Sequence, residues 1–306
     1  MAGIRKIRLF VLMVLCLATP FAHKDLAMAE TVRKEIVYAD VDGRKLLLDL
    51  YVPHAGSGGH PPAPVPVIVW VHGGAWRSGS RSDVPIRGLI QRGFAIASVD
   101  YRLSTVARFP AQVHDIRAAI RFLRRNASDF RLDASRFALG GVSAGGHLAA
   151  LSGLSDQKSE LEGRVGDALD ESSEVHAIVS FFGASNLQTI LSQSTPHGLS
   201  VRVPALELLL GGQPAALPDL ARLASPVAHV NLQSPPLLLI HGDEDPQMPV
   251  DQSYELQMAY DRAGVPVQLT VIPGGRHGGP EFFSDSRLDE VTVFLQRHLK
   301  MSQDQR

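Results

Sequence analysis

The sequence predicts an α/β fold with a mainly parallel central sheet and helices on both faces, from two observations. Six short apolar runs recur along the chain, and amphipathic stretches of helical period lie between them. The runs are Val67-Ile68-Val69-Trp70-Val71 and residues 95–99, 137–139, 177–181, 237–240 and 267–272. Apolar at consecutive positions, they suit strands buried on both faces. The helical stretches are residues 112–126, 146–154, 251–263 and 285–299. In the first, Val113, Ile116, Ala119, Ile120 and Leu123 form a stripe, which predicts one buried face and an opposite face of arginines.

Two further strands are expected at residues 32–39 and 46–52, joined by the Asp42-Gly43 turn, so an antiparallel hairpin opens the fold. Residues 53–66 are dense in Gly, Ser, His and Pro and read as a loop. Two segments break the rhythm of strand and helix. Residues 156–175 are acidic and strand-free, and residues 183–230 mix Gly and Pro with a short apolar helix at 205–210. The second is expected to be an insertion over the site, a small cap.

At the N-terminus, Arg5, Lys6 and Arg8 precede an apolar run from Leu9 to about Ala22, and Ala27-Met28-Ala29 precedes Glu30. This order reads as a signal peptide over residues 1–29, too short to span a bilayer, followed by one catalytic domain over 30–306. The expectation is export to the periplasm or beyond the cell, with no stable membrane insertion of the mature chain. The single cysteine, Cys16, lies in this leader, which leaves the mature chain without a disulfide or a thiol nucleophile. A formal net charge of -1 over 306 residues supplies no field for holding nucleic acid.

Gly141-Val142-Ser143-Ala144-Gly145 fits G-x-S-x-G between an apolar strand and a helical run, the setting of a nucleophile elbow. Ser143 is the candidate nucleophile. His72-Gly73-Gly74-Ala75-Trp76 follows another buried strand, where glycines let main-chain N–H groups come close to a developing oxyanion. The candidate donors are Gly74 and either Gly73 or Ala75, joined by Ala144. A serine hydroxyl also needs a base, and the base a carboxylate. His277, in the loop after the run at 267–272, is the candidate base. Asp243, Glu244 and Asp245 all follow the run at 237–240 and compete as the acid. Histidines and acidic residues do not cluster at metal-ligand spacing, and no cofactor is implied.

These motifs resemble the esterase/lipase branch of the α/β-hydrolase fold, and within it the bacterial acetyl xylan and feruloyl esterase-like, or BD-FAE-like, carboxylesterases. The likeness runs from about Val37 to Leu299 and includes Phe109-Pro110-Ala111-Gln112 with Asp115, Ser143 to Ala149, Ala224-Ser225-Pro226 and His241 to Asp245. It implies the chain order Ser143, Asp245, His277 for the triad, with Asp243 bracing its turn and His241 in a structural role. It further implies an acyl-enzyme route on short-chain or carbohydrate-linked (acetyl or feruloyl) esters, with Trp76 and residues 183–230 shaping the pocket. A formamidase- or peptidase-like C–N hydrolase on the same triad is the alternative, and a non-catalytic binding protein the more distant one. The chain departs from the family at Ser180 and Gly183-Ala184-Ser185-Asn186, which weakens any transfer of substrate preference. The oligomeric state is left open.

Overall fold

The computed structural model describes residues 30–54, 63–155 and 159–299. The leader expected at residues 1–29 and most of the loop between the second and third strands lie outside these residues. Eight strands form one sheet: β1 (Glu30–Val41), β2 (Arg44–Pro53), β3 (Val65–Val71), β4 (Ala95–Val99), β5 (Leu132–Val142), β6 (Ala177–Phe181), β7 (Leu237–Gly242) and β8 (Val267–Ile272). Their order is β1-β2-β4-β3-β5-β6-β7-β8. β1 pairs antiparallel with β2, and β2 antiparallel with β4; every later pairing is parallel. The opening hairpin and the mainly parallel remainder agree with the sequence.

Helices follow as α1 (Ala111–Arg125), α2 (Ala127–Phe130), α3 (Ala144–Leu154), α4 (Ser159–Glu162), α5 (Ile190–Gln193), α6 (Pro196–Leu210), α7 (Pro218–Leu223), α8 (Asp251–Ala263) and α9 (Asp285–His298). Side chains of a strand alternate between the two faces of a sheet, so each strand feeds two cores. Val67, Val69 and Val71 of β3 join the core under α1, α3 and α8, whereas Ile68 and Trp70 join the one under α9. β7 divides in the same way, Leu237 and Leu239 to the first and Leu238 and Ile240 to the second. Among the described residues no helix is long and apolar enough to cross a membrane.

Two features depart from the sequence reading. The arginines of α1 do not make a solvated face: Arg117 and Arg121 are buried, both paired with Glu162. Arg117 also donates to the Ser173 hydroxyl at 2.8 Å. The acidic segment after α3 therefore folds over the helix and neutralises charge that periodicity alone assigns to solvent. The helix expected at 205–210 extends back to Pro196, capped by Thr195, whose hydroxyl accepts the Gly198 amide at 3.0 Å. It runs through Pro204 and stops at Gly211, whose φ of 84° is a left-handed C-terminal cap. The segment between β6 and β7, expected as a small cap over the site, packs Leu187, Ile190, Leu206 and Leu209 into the first core.

That segment is tied down by hydrogen bonds. The fully buried Gln252 side chain accepts the amides of Ser185 at 2.9 Å and Asn186 at 2.8 Å. A second clamp explains part of the motif at 109–115. Asp115 takes the Arg102 guanidinium through both oxygens, at 2.7 and 2.9 Å, and accepts the Arg102 amide at 2.8 Å. Gln112 donates to the carbonyls of Arg102 at 2.8 Å and Ala107 at 2.6 Å. These residues hold the loop after β4 and do not reach the cleft.

Removing one partner of a buried ion pair leaves the other uncompensated. Asp115→Ala is expected to lower the unfolding free energy by about 3–5 kcal/mol, read from the urea midpoint at unchanged slope. A midpoint within error of the parent would show that the clamp is dispensable.

Candidate active site

The five loops that matter leave the C-terminal ends of β3, β5, β6, β7 and β8, the edge at which open α/β sheets hold their ligands. Ser143 sits between the last residue of β5 and the first of α3, with φ 53° and ψ -119°. A non-glycine residue there costs about 1–3 kcal/mol and persists only where the surroundings impose it. Here they do. The Ser143 amide donates to the Phe181 carbonyl at 2.9 Å, and its own carbonyl accepts the His147 amide at 3.0 Å. The flanking glycines permit the close approach: a Cβ at Gly145 would lie 2.1 Å from the Val71 carbonyl oxygen, and one at Gly141 2.4 Å from that of Gly145.

Ser143, Asp245 and His277 come together from three loops. His277 Nδ1 lies 2.6 Å from Asp245 Oδ2, and His277 Nε2 lies 2.8 Å from Ser143 Oγ. An ionised carboxylate only accepts, so Nδ1 carries the proton and Nε2 accepts from the serine hydroxyl. The other Asp245 oxygen, Oδ1, accepts the amides of Gln247 at 2.8 Å and Met248 at 2.9 Å. Asp243 turns away and accepts the Gly274 amide at 2.7 Å, bracing the two loops against each other. His241 is buried, donating from Nε2 to the Met248 carbonyl at 3.0 Å, with Nε2 also 3.5 Å from Asp245.

The electrostatics follow from this bonding. Burial alone would push the Asp245 carboxyl up, but the N–H groups of His241 and His277, the His277 charge and the Met248 amide outweigh it. The carboxyl is held well below its usual range. His277 is pushed below its ordinary value by burial, against the pull of Asp245, with Arg202 and His241 acting in the same direction as burial. It is a neutral base at pH 7. Phe182, at φ 39°, packs its ring 4.8 Å from the imidazole.

Gly73, Gly74 and Ala75 line the cleft beside Ser143. Gly74 and Ala75 have φ of 108° and 51°. The Gly74 carbonyl accepts the amides of Arg77 at 3.1 Å and Ser78 at 3.0 Å, which closes the turn. Among the described residues the amides of Gly74 and Ala75 meet no protein acceptor. Ala144 opens α3, so no helical carbonyl stands four residues before it, and its N–H is one of the free donors at the positive end of the helix. Each such donor aimed at a developing oxyanion is worth about 3 kcal/mol.

Trp76 departs from expectation. It is fully buried and lines no part of the cleft, its indole N–H donating to His147 Nδ1 at 3.0 Å. His147 in turn donates from Nε2 to the Ala224 carbonyl at 2.7 Å, and burial lowers its pKa to about 4, so it stays neutral. The ring beneath the cleft is thus a support and not a contact surface. What the sequence reading missed is the residue above it: Arg202 of α6 lies with its guanidinium 6.0 Å over the Trp76 ring and lines the cleft together with Val201. A single arginine among Val201, Val203 and the leucines of an apolar helix was the available signal.

The arrangement can deliver a serine oxygen to a carbonyl carbon, take up its proton and hold the resulting negative oxygen. The BD-FAE family model matches residues 48–260 of the chain. Esterase LipC of Mycobacterium tuberculosis is 32% identical over 253 residues, which cover 80% of this chain and 59% of that protein. The chain spans little more than half the length of the first curated relatives it matches. Among solved structures, a truncated carbohydrate esterase from gut microbiota superimposes with a TM-score of 0.77 at 30% identity, covering 88% of this chain and 96% of that one. Thermogutta terrifontis esterase 2 phosphorylated by paraoxon gives a TM-score of 0.69 at 26% identity, over 87% of this chain and 94% of that one. By the extent of the family match and the agreement of sheet, elbow and loops, this chain belongs to the BD-FAE family of α/β-hydrolase-fold proteins.

Proposed function

We propose that the protein is a serine carboxylic-ester hydrolase acting on short-chain or carbohydrate-linked esters, such as acetyl or feruloyl esters, through an acyl-enzyme. The observation that carries the reading is the unbroken relay from the Ser143 hydroxyl through His277 to Asp245, at 2.8 and 2.6 Å. Ser143 Oγ attacks the ester carbonyl while His277 Nε2 takes its proton. Asp245 keeps the imidazole in the required tautomer and stabilises the imidazolium. N–H groups of the 73–75 turn and of Ala144 receive the oxyanion. His277 then protonates the departing alcohol, and water repeats the sequence to release the acid. The esterase names of the relatives, and the carbohydrate esterase among the structural neighbours, support the same chemistry.

Ser143→Ala is expected to lower kcat on a para-nitrophenyl acetate, acetylated xylan and methyl ferulate panel by about three orders of magnitude or more. Paraoxon is expected to inactivate the parent and add one diethyl phosphoryl mass, absent from the variant. Wild-type rates in the variant refute the nucleophile, and hydrolysis confined to formamide or anilide analogues moves the activity to C–N bonds.

Protonation of His277 removes the base, so activity falls on the acid side. Because burial sets the folded-state pKa below the ordinary imidazole value, the neutral form persists to lower pH. The acid midpoint of kcat/KM is therefore expected below about pH 6.5. A midpoint above 7 would contradict the reading of a desolvated, neutral base.

Export belongs to the same proposal, supported by the charged, apolar and A-x-A order of residues 1–29. Protein recovered from the periplasm or the medium is expected to begin at Glu30, the first residue of β1, on N-terminal sequencing. Recovery in the cytoplasm with Met1 retained would overturn it.

A further inference from the structure

Arg202 lies on α6, a helix whose nearby buried side chains, Ala205, Leu206 and Leu209, are apolar. It is 1% exposed. Its Nε and Nη2 are buried without an acceptor, and among the described residues the guanidinium makes no hydrogen bond or ion pair. The group it rests on is the Trp76 ring. Burial lowers its pKa to about 10, with Asp245 pulling the other way, so it remains cationic at neutral pH. Asp245 does not neutralise it by contact, since both carboxylate oxygens are engaged by His277, Gln247 and Met248.

A buried cation without a partner is strongly disfavoured unless something supplies the missing acceptors. Arg202 lines the same cleft as Ser143 and His277, a space of about 530 Å³ that suits a small molecule. Arg77 lines it too and has no ion pair among the described residues, and Asp83 is the acidic residue of the lining. Asp245 stands behind His277 with its carboxylate already spent on the relay and its own loop, so the Arg202 guanidinium is left to an anionic group that enters the cleft. The planar fork of arginine matches a planar carboxylate through two parallel hydrogen bonds.

We infer that Arg202 is a specificity-determining residue, and that the cleft takes esters carrying a second, free carboxylate, which the Arg202 fork binds while Ser143 faces the ester carbonyl. The inference rests on the ester-hydrolase reading and narrows its substrate class. The carboxylate has two sources, the acyl part of the ester or its leaving group. No protein acceptor competes with either.

Two matched pairs of esters separate these sources. On the acyl side, para-nitrophenyl hydrogen glutarate is compared with para-nitrophenyl pentanoate; on the leaving-group side, meta-acetoxybenzoate with meta-acetoxybenzamide. The wild-type kcat/KM is expected to favour the anionic member of at least one pair by about tenfold or more, the scale of one hydrogen-bonded charged group. The pair that shows it identifies the source. In Arg202→Met that ratio is expected to fall close to one, whatever the absolute rates, and Arg202→Lys should lie between. A ratio is unaffected by a general loss of structure or by a change in the His277 pKa. Should Arg202→Met fail to fold, the wild-type ratio and its decrease in Arg202→Lys decide.

Hydrolysis of the neutral esters without preference for the anionic ones, or a preference that survives Arg202→Met, overturns the inference and leaves the ester reading standing. Inertness toward all four esters overturns the inference, and overturns the ester reading as well where para-nitrophenyl acetate, acetylated xylan and methyl ferulate are also left intact.

Discussion

The backbone at Ser143 is held in a conformation that a serine avoids, and the placement of the neighbouring groups follows from what holds it there. A φ of 53° with ψ of -119° is sustained because β5 cannot lengthen and α3 cannot rotate. Every residue of α3 is buried, and its first turn lies against the end of β3 so closely that a single methyl group at Gly145 would collide with the Val71 carbonyl. The strain of about 1–3 kcal/mol is thereby spread over a helix and two strands. The same contact that strains the serine aims the free amide of Ala144, and the positive end of the helix, at the point where negative charge would form. Strain and electrostatic stabilisation thus have one origin.

Charge burial sets the second layer. Asp245 is an anion in a nearly dry setting, and it stays ionised because the peptide groups of Gln247 and Met248 and the ring of His277 supply its hydrogen bonds. His241 meets the Met248 carbonyl through Nε2 at 3.0 Å and the Ser253 hydroxyl through Nδ1 at 2.7 Å, so both of its ring nitrogens are engaged beside Asp245. The Trp76 and His147 pair below the cleft is neutral, because a protonated His147 could no longer accept the indole N–H. Arg202 brings a buried positive charge into this region, and its field lowers the basicity of His277.

Much of this was legible in the sequence, for a physical reason. A strand buried on both faces reads as a nearly continuous apolar run, so β4 and β6 could be bounded to the residue; β8, at the edge of the sheet with Gln268 exposed, is less buried than its run implied although its bounds agree, and the elbow glycines mark a close approach that no other residue tolerates. Ser143 came forward because a strand end followed by Gly-rich sequence is where backbone can present a side chain, whereas His277 was picked from the twelve histidines by the chain order of serine, acid and histidine that the fold family implies. Choosing Asp245 over Asp243 and Glu244 needed the family pattern; only the folded loops show Asp243 spent on the Gly274 amide. Trp76, Arg117 and Arg202 were misread or overlooked for one shared cause. Each is a large polar or amphipathic side chain whose burial depends on partners distant in the chain, His147 for the first, Glu162 for the second and the Trp76 ring for the third. Periodicity reports the preference of a residue for solvent, and it carries no record of a partner supplied by another segment. The helix expected at 205–210 proved longer because it continues through Pro204 back to the cap at Thr195.

Chemistry and selectivity are consequently carried by different parts of the chain. The reacting groups stand on strand ends whose positions are set by the sheet, while Val201 and Arg202 come from the segment between β6 and β7. That segment is not loosely appended. Gln252 grips its start, Thr195 donates to the Pro246 carbonyl at 2.6 Å beside the Asp245 loop, and Gly198 fits so tightly that a Cβ would lie 3.1 Å from the Gln247 carbonyl. A helix seated this firmly on the loop that bears the triad carboxylate cannot change its distance from the relay without straining it. It can change the side chains it turns toward the cleft, however, because α6 exchanges no hydrogen bond with His277 or Ser143. Substitution along this helix is therefore the route by which the same relay can be offered substrates of different charge.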